Sequence, residues 1–386
     1  MIEETFPARL KEAREARGMS LSDLASKTET SRQVLSKYEL SKLFPRAETL
    51  AKLASALEVP PSFFAQSPTE QQLNPLFFRH FKSKTGQKQR TAAEMRLAWV
   101  HRLNARIEDY VDLPPVNIPD FKPPSNPLEI SNAEIERAAA ELRRFWGLKD
   151  GVIPDIIKLV ENNGCIVTTN LIDLESMDGL SQWGTAGRPL IAIDCRDVSA
   201  AHRRLDVAHE LGHLILHRYV DKRFIEENPD THRKIEEQAF RFAGAFMLPE
   251  ATFRQSLPYV ALDSLLLLKP QWRLSVSAML HRAQDLGMIS DDTAKRHWIN
   301  LNRRGWKKHE PLEDRIPLEE PRILASAIIV LKNNNMDALS QICRDSGLHT
   351  AEISKYVGLP EWEMGVEEIP DFAVAVKYGS DLKAIQ

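Results

Sequence analysis

The sequence predicts an α+β protein that is predominantly α-helical. Three observations carry that expectation. Long stretches repeat apolar residues at i, i+3 and i+4, the spacing of one helix face. Strand-like runs are few and short, CIVTT (165–169) and PLIAID (189–194) being the clearest. Serines ahead of apolar periodicity and glycines behind it recur along the chain, as helix starts and stops do. With 386 residues there is length for two or three domains and a large core.

Residues 1–68 read as a five-helix bundle. PARLKEAREARG places Leu10, Ala13 and Ala16 on one face and stops at Gly18. Ser20 caps LSDLASKT, with Asp23 at the third helical position of a capping box. After the turn TETS, the helix SRQVLSKYEL turns Val34, Leu35 and Tyr38 inward, and AETLAKLASAL and PSFFAQ complete the bundle. Residues 69–127 read as a linker in two parts. A basic helical region, 76–111, breaks near Gly86, and PPVNIPDFKPPSNP follows with six prolines in fourteen residues, a polyproline-like spacer that marks a domain boundary. Residues 128–306 form the next domain. It opens on the helices NAEIERAAAELRRFWGL and IPDIIKLVENNG, passes through the two strands, and is helical again from about 199. A charged linker, KKHEPLEDRIPLEEP, opens a helical C-terminal module, 307–386, to which no chemistry attaches.

Composition excludes several classes. The chain has 51 Lys+Arg against 54 Asp+Glu, so any basic surface is local. Cys165, Cys195 and Cys343 stand far apart with no CxxC pair, which argues against a disulfide framework and a thiolate metal site. MIEETFPARLKEARE lacks the apolar core of a signal peptide, and apolar runs such as Leu265 to Leu268 are too short to span a bilayer. A soluble cytoplasmic protein with no membrane contact is expected.

Two constellations carry chemistry. In residues 20–40, helix–turn–helix spacing lifts the second helix onto the surface with Ser31, Arg32, Gln33, Ser36 and Lys37 outward. Arg and Gln reach base edges, while Ser and Lys suit phosphates. A plain helical bundle with one polar surface helix fits the pattern equally well. Residues 1–66 hold ten basic and nine acidic residues, but 76–106 carry Arg79, Lys82, Lys84, Lys88, Arg90, Arg96, Arg102 and Arg106 against the single acid Glu94. That strip either extends a phosphate footprint or packs against an acidic partner or the chain's own interface.

The second constellation is HELGHLILH (209–217). Residues four apart on a helix differ by about 40° in projection, so His209 and His213 point the same way. Glu210, rotated by about 100°, suits a proton-accepting role rather than ligation. Leu211, Leu214, Ile215 and Leu216 make the helix a buried one. HExxH is a short pattern that a pair of core histidines also satisfies, so a third ligand decides. In RKIEEQAFRFAGAFMLP (233–249), Glu236 shares a stripe with Ala239, Phe240, Ala243 and Met247 and is aimed at the interior. Glu237, with Arg241 and Lys234 at helical spacing, reads as a solvated ion-pair face. Glu236 is thus the expected ligand. A straight helix cannot wrap three side chains around one ion, so His217 is expected to orient a neighbour or cap the helix. Asp206 is a candidate acceptor for an imidazole N–H, and the edge of PLIAID for a substrate strand. Arg203 and Arg204 are expected to pair with structural acids.

The stretch RLKEAREARGMSLSDLASKTETSRQVLSKYELSKLFPRAETLAKLASALEV resembles the phage-repressor (Xre-type) helix-turn-helix family along its whole length. Leu21 stands where that family usually opens its first motif helix with glutamine. The string DGLSQWGTAGRPLIAIDCRDVSAAHRRLDVAHELGHLILH, followed by EEQAFRFAGAFMLP, resembles the ImmA/IrrE family of zinc metallopeptidase-like proteins over about 128–300. Members often carry a further glutamate where Gln238 stands, a change read as harmless. The resemblance implies a zincin-like domain with a small sheet, Zn2+ held by His209, His213 and Glu236, and Glu210 as the catalytic glutamate. It further implies a double-stranded DNA operator, a protein substrate or partner such as a repressor or toxin encoded nearby, and a homodimer. Two functions follow: a DNA-binding regulator with a fused zinc endopeptidase, or a non-proteolytic transcription factor or antitoxin using the peptidase-like fold as sensor or dock.

Overall fold

The computed structural model describes residues 2–68, 77–78, 84–169, 171, 179–194, 198–221 and 229–364. The N-terminal bundle contains α1 (Ile2–Ala16), α2 (Leu21–Thr28), α3 (Arg32–Glu39), α4 (Ala47–Leu57) and a 3-10 turn, Pro61–Ala65. The capping box of α2 forms in full: Asp23 N donates to Ser20 Oγ, and Ser20 N to the Asp23 carboxylate. Ser31 caps α3 by accepting from Val34 N. Phe6, Leu10, Leu24, Leu35, Leu53 and Phe63 fill the core between them.

Next come β1 (Phe77–Phe78), α5 (Lys84–Glu108), a 3-10 turn (Pro127–Glu129), α6 (Asn132–Phe145) and α7 (Ile156–Asn162). The strands β2 (Ile166–Thr169), β3 (Gly179–Trp183) and β4 (Pro189–Ile193) precede α8 (Ala200–Leu216) and α9 (Pro229–Met247). Four helices follow: α10 (Glu250–Ser256), α11 (Leu262–Trp272), α12 (Val276–Asp285) and α13 (Asp291–Arg303). The C-terminal module holds α14 (Ile323–Asn334), α15 (Met336–Ser346), α16 (Thr350–Val357) and α17 (Glu361–Met364). The predominantly helical α+β class is the one the sequence predicts. No described helix is long and apolar enough to cross a membrane.

The sheet runs β1-β3-β4-β2, with β3 antiparallel to β1 and β4, and β2 parallel to β4. Side chains alternate across a strand, and here the alternation feeds two different cores. Ile166, Leu180, Leu190 and Ala192 face the N-terminal bundle, α5 and the C-terminal helices. Val167, Trp183, Ile191 and Ile193 face a second core with α6 to α9, α11 and α12.

Packing therefore cuts across the linear segments read from the sequence. Helix α5 is not a free linker: Trp99 Nε1 donates to Glu12 at 2.7 Å, and Arg96 donates to the carbonyls of Ala16 (2.9 Å) and Leu171 (3.2 Å). The C-terminal module joins the same core, tied by Arg17 to Glu352 at 3.1 Å and by Thr168 Oγ1 to the Tyr356 carbonyl at 2.7 Å. Nor does the proline-rich stretch act as an open spacer. Asn117 N bonds the Asn163 carbonyl at 3.0 Å, and a Cβ on Gly164, which sits at φ 86°, would lie 2.5 Å from the Pro115 carbonyl. Only glycine allows that approach. Cys165 and Cys343 are buried free thiols, and Cys195 lies outside the described residues.

Candidate metal centre and DNA-reading helix

Helix α8 is buried almost throughout because it lies between the sheet and α9. Two hydrogen bonds fix it to β3: Ser181 Oγ donates to the Glu210 carbonyl at 3.1 Å, and Trp183 Nε1 to that of Leu214 at 3.0 Å. Gly212 sets the approach of α9, since a Cβ there would stand 3.1 Å from both the Ala239 carbonyl and the Phe242 ring. The close crossing brings a carboxylate from α9 to the histidines of α8.

His209 Nε2 and His213 Nε2 are 3.0 Å apart. Glu236 places Oε2 3.3 Å from the first and Oε1 3.4 Å from the second. Ligand atoms held 2.0–2.1 Å from a tetrahedral ion lie about 3.3 Å from one another, and the separations here, one to each Glu236 oxygen and one between the imidazoles, are of that size. Both Glu236 oxygens are buried and, among the described residues, find no hydrogen-bond partner beyond the two imidazoles that face them, an arrangement that a cation resolves. Burial alone raises the Glu236 carboxyl, but His213 and His209 outweigh it and hold the group well below the usual carboxylate range. The donor set of two imidazoles and one carboxylate fits a divalent metal ion.

Glu210 stands beside this triangle; a ligand atom of His209, Glu210 and His213 each lies within 4.8 Å of the others. Its side chain rests on β3 at Gly179, where a Cβ would meet Oε1 at 2.8 Å and Cγ at 3.1 Å. A glycine there is what makes room for the glutamate, and the sequence reading did not find it. Glu237 is exposed and pairs with Arg233 at 2.6 Å rather than with Arg241, which meets Glu136 at 2.9 Å. His217 lies beyond the triangle with Nδ1 3.0 Å from His213 Nδ1 and Nε2 3.0 Å from Gln238 Oε1. Burial, reinforced by His213, pushes His217 down to about 3.

Asp206 is buried on α8. Arg204 pairs with Glu319, and Arg203 donates to the Glu319 carbonyl at 3.3 Å. The substrate strand expected along PLIAID has no edge to join, because β4 is flanked by β3 and β2. The outer strands of the sheet are β2 and β1, the latter pairing with β3 at Leu180 and Ser181.

On α3, Arg32, Gln33 and Lys37 are exposed and Ser36 is half-buried. Ser31 is exposed but also holds the cap, accepting from Val34 N at 3.3 Å. Leu21 packs against the bundle core. Part of the basic strip is spent inside the molecule, whereas Lys88 and Arg106 stay exposed, Arg106 pairing with Asp109 at 3.2 Å. Arg96 anchors α5 to the bundle, Arg102 reaches Glu12 at 3.4 Å, Lys88 reaches Asp23 at 3.6 Å, and Arg90 reaches Glu94 at 3.5 Å. Packing across the chain's own interface describes Arg96 and Arg102, while Lys88 and Arg106 remain on the surface. Arg79 and Lys82 lie outside the described residues.

Two family models match the chain. A helix-turn-helix model covers residues 10–64, and the model of a peptidase family described as the IrrE N-terminal-like domain covers 163–284. The chain joins a helix-turn-helix domain to an IrrE-like peptidase domain. The IrrE-like match spans β2 to α12 and contains His209, Glu210, His213 and Glu236; the helix-turn-helix match contains all of α3. No curated protein matches the chain. The fusion makes it a regulator with a DNA-binding domain and a peptidase-like domain.

Proposed function

We propose that this regulator is a zinc-dependent endopeptidase that reads a double-stranded DNA operator and cleaves a regulatory protein, such as a repressor or toxin encoded nearby. The observation that carries the reading is the convergence of His209, His213 and Glu236 to within 3.0–3.4 Å. His209, His213 and Glu236 would hold the zinc, which would supply Lewis acidity for activating a water molecule and polarising the scissile carbonyl. Glu210 would accept a proton from the attacking water at its carboxylate and return it to the leaving amine. Gly179 and β3 keep the Glu210 side chain in place, and the apolar wall of α8 and α9 excludes bulk water.

On the other half, Arg32 and Gln33 address base edges in the major groove, while Ser36, Lys37 and the hydroxyl proton of Ser31 address phosphates. The cap uses Ser31 as an acceptor, which leaves it free to donate. Two heads in a homodimer would match a two-fold operator. The functional units on this reading are 1–68, 69–127, 128–306 and 307–386.

A second reading, a non-proteolytic transcription factor or antitoxin that uses the domain as sensor or dock, is favoured by the sheet. One of its faces packs on the DNA-binding bundle and the other on the helix that carries HExxH. Glu210→Gln separates the two. On the endopeptidase reading the variant keeps its zinc and abolishes cleavage of the target protein in cells; cleavage that continues unchanged, or a regulatory response that persists without cleavage, favours the second.

A further inference from the structure

Gln238 reads as a harmless replacement in the sequence and His217 as a residue that orients a neighbour or caps the helix, and in the structure the two are consecutive links to His213. Gln238 lies on α9 two residues beyond Glu236 and is buried. Its Nε2 sits 2.8 Å from the Pro127 carbonyl oxygen and 3.1 Å from that of Ile130. Carbonyl oxygens only accept, so both contacts require the amide NH2, and the orientation of the amide is fixed by chemistry. Oε1 then faces His217 Nε2 at 3.0 Å and takes a hydrogen bond from it. With its one ring proton committed at Nε2, neutral His217 turns the lone pair of Nδ1 towards His213 Nδ1, 3.0 Å away. His213 must donate there. Its own lone pair is left on Nε2, the nitrogen that faces His209 Nε2 at 3.0 Å and Glu236 Oε1 at 3.4 Å.

We propose that Gln238 and His217 are positioning residues of the metal centre: the amide, anchored on two backbone carbonyls of the 127–130 turn, sets the tautomer of His217, which sets that of His213 and presents its Nε2 lone pair to a divalent cation. Neither residue ligates. The relay also explains why the helix carries a third histidine at the same spacing, since only a ring one turn on can accept from His213 Nδ1 while reaching α9 with its other nitrogen. An imidazole held in the other tautomer would have to move its proton before it could bind. The proposal rests on the reading of His209, His213 and Glu236 as metal ligands, and it ties their competence to the 127–130 turn that follows the proline-rich stretch and supplies both carbonyls.

The test uses the intact chain, zinc alone and a competing chromogenic chelator. His217→Leu and Gln238→Leu are expected to bind zinc about 10–100-fold more weakly than wild type. Their helical content and metal-free melting temperature report whether the fold persists. His217→Asn, whose side-chain oxygen hangs from Cγ where Nδ1 does in histidine, is expected to restore affinity to within a few-fold. Long-range 15N–1H spectra of metal-free wild type should show His213 protonated at Nδ1 and His217 at Nε2. Opposite tautomers overturn the proposal, as does equal weakening in the Leu and Asn variants at position 217 or wild-type affinity in His217→Leu. A wild-type chain that takes up no zinc brings down the metal reading itself, and this proposal with it; a wild-type chain that binds zinc alongside unaffected variants brings down this proposal alone.

Discussion

The proposed metal centre on α8 and the proposed DNA-reading helix α3 differ in what holds their side chains. Around α8 the positions are over-determined. His209, Glu210 and His213 are buried, β3 grips the backbone at Glu210 and Leu214, and Glu236 arrives from a neighbour that Gly212 lets come close. Around α3 only one face is fixed, by Leu35 and Tyr38, and Arg32, Gln33 and Lys37 project into solvent. The first region is built to place atoms before anything binds. The second supplies a stiff rod and leaves its long side chains to be ordered by a partner. A buried polar cluster therefore argues for its own chemistry, whereas an exposed one argues only through what it fits.

The DNA-binding half does contain a buried polar lock, but it faces away from the reading surface, and removing it should give the largest effect. Glu12 accepts from Arg9 at 2.5 Å, from Trp99 Nε1 at 2.7 Å and from Arg102 at 3.4 Å. Glu12→Ala leaves the buried Arg9 guanidinium without that carboxylate, and about 3–5 kcal/mol of stability should be lost in denaturant titration. A loss under about 1 kcal/mol would mean the bundle does not depend on its seam with α5. Gly179→Ala sharpens the other side of the comparison. The added methyl displaces Glu210, so cleavage of the target should fall by roughly 100-fold while zinc uptake is unchanged. Intact cleavage would show that the position of Glu210 on β3 is unimportant.

Smaller effects are expected at exposed positions and at the seam. Arg32→Ala should cost operator binding about 1–3 kcal/mol by competition with specific DNA while changing stability by less than about 0.5 kcal/mol. Lys37→Ala should lower the salt slope of binding by about 1. Reading-helix variants that unfold the chain would break the contrast drawn above. His101 on α5 gives the mildest signal. Its ring lies against Gly184 between β3 and β4, Nε2 is buried, and burial pushes its pKa down to about 4 from the ordinary 6.5. The unfolded chain therefore binds a proton that the folded chain refuses. Its contribution to stability is present above pH 6.5 and is lost as pH falls towards 4, and His101→Gln should flatten that part of the curve.

Much of this was legible because it is local. The 3.6-residue stripe that turns Glu236 inward and Glu237 outward, the capping box at Ser20, and the HExxH spacing all sit within one or two turns of chain. The helix-turn-helix bundle and the IrrE-like domain were legible through resemblance rather than periodicity. Non-local facts were not legible. Whether β4 has a free edge depends on strand order, which PLIAID does not encode, and β1 has too few residues to carry a pattern. A row of arginines reads alike whether it faces phosphate or, like Arg96, a backbone carbonyl across a core. The Gln238–His217 contact spans 21 residues of sequence and two helices. The partner of Glu237 was misjudged for a simpler reason: Arg241 had stronger claims on it from Glu136 and Asp285.

X-ray absorption at the zinc edge, read together with the metal content of the purified chain, tests the metal centre most directly. One zinc per chain is predicted, with only nitrogen and oxygen neighbours at about 2.0–2.1 Å, and Glu236→Ala should lose the ion. A chain that carries no zinc after incubation with it, a sulfur neighbour in the spectrum, or a Glu236→Ala variant that keeps its full complement would contradict the account.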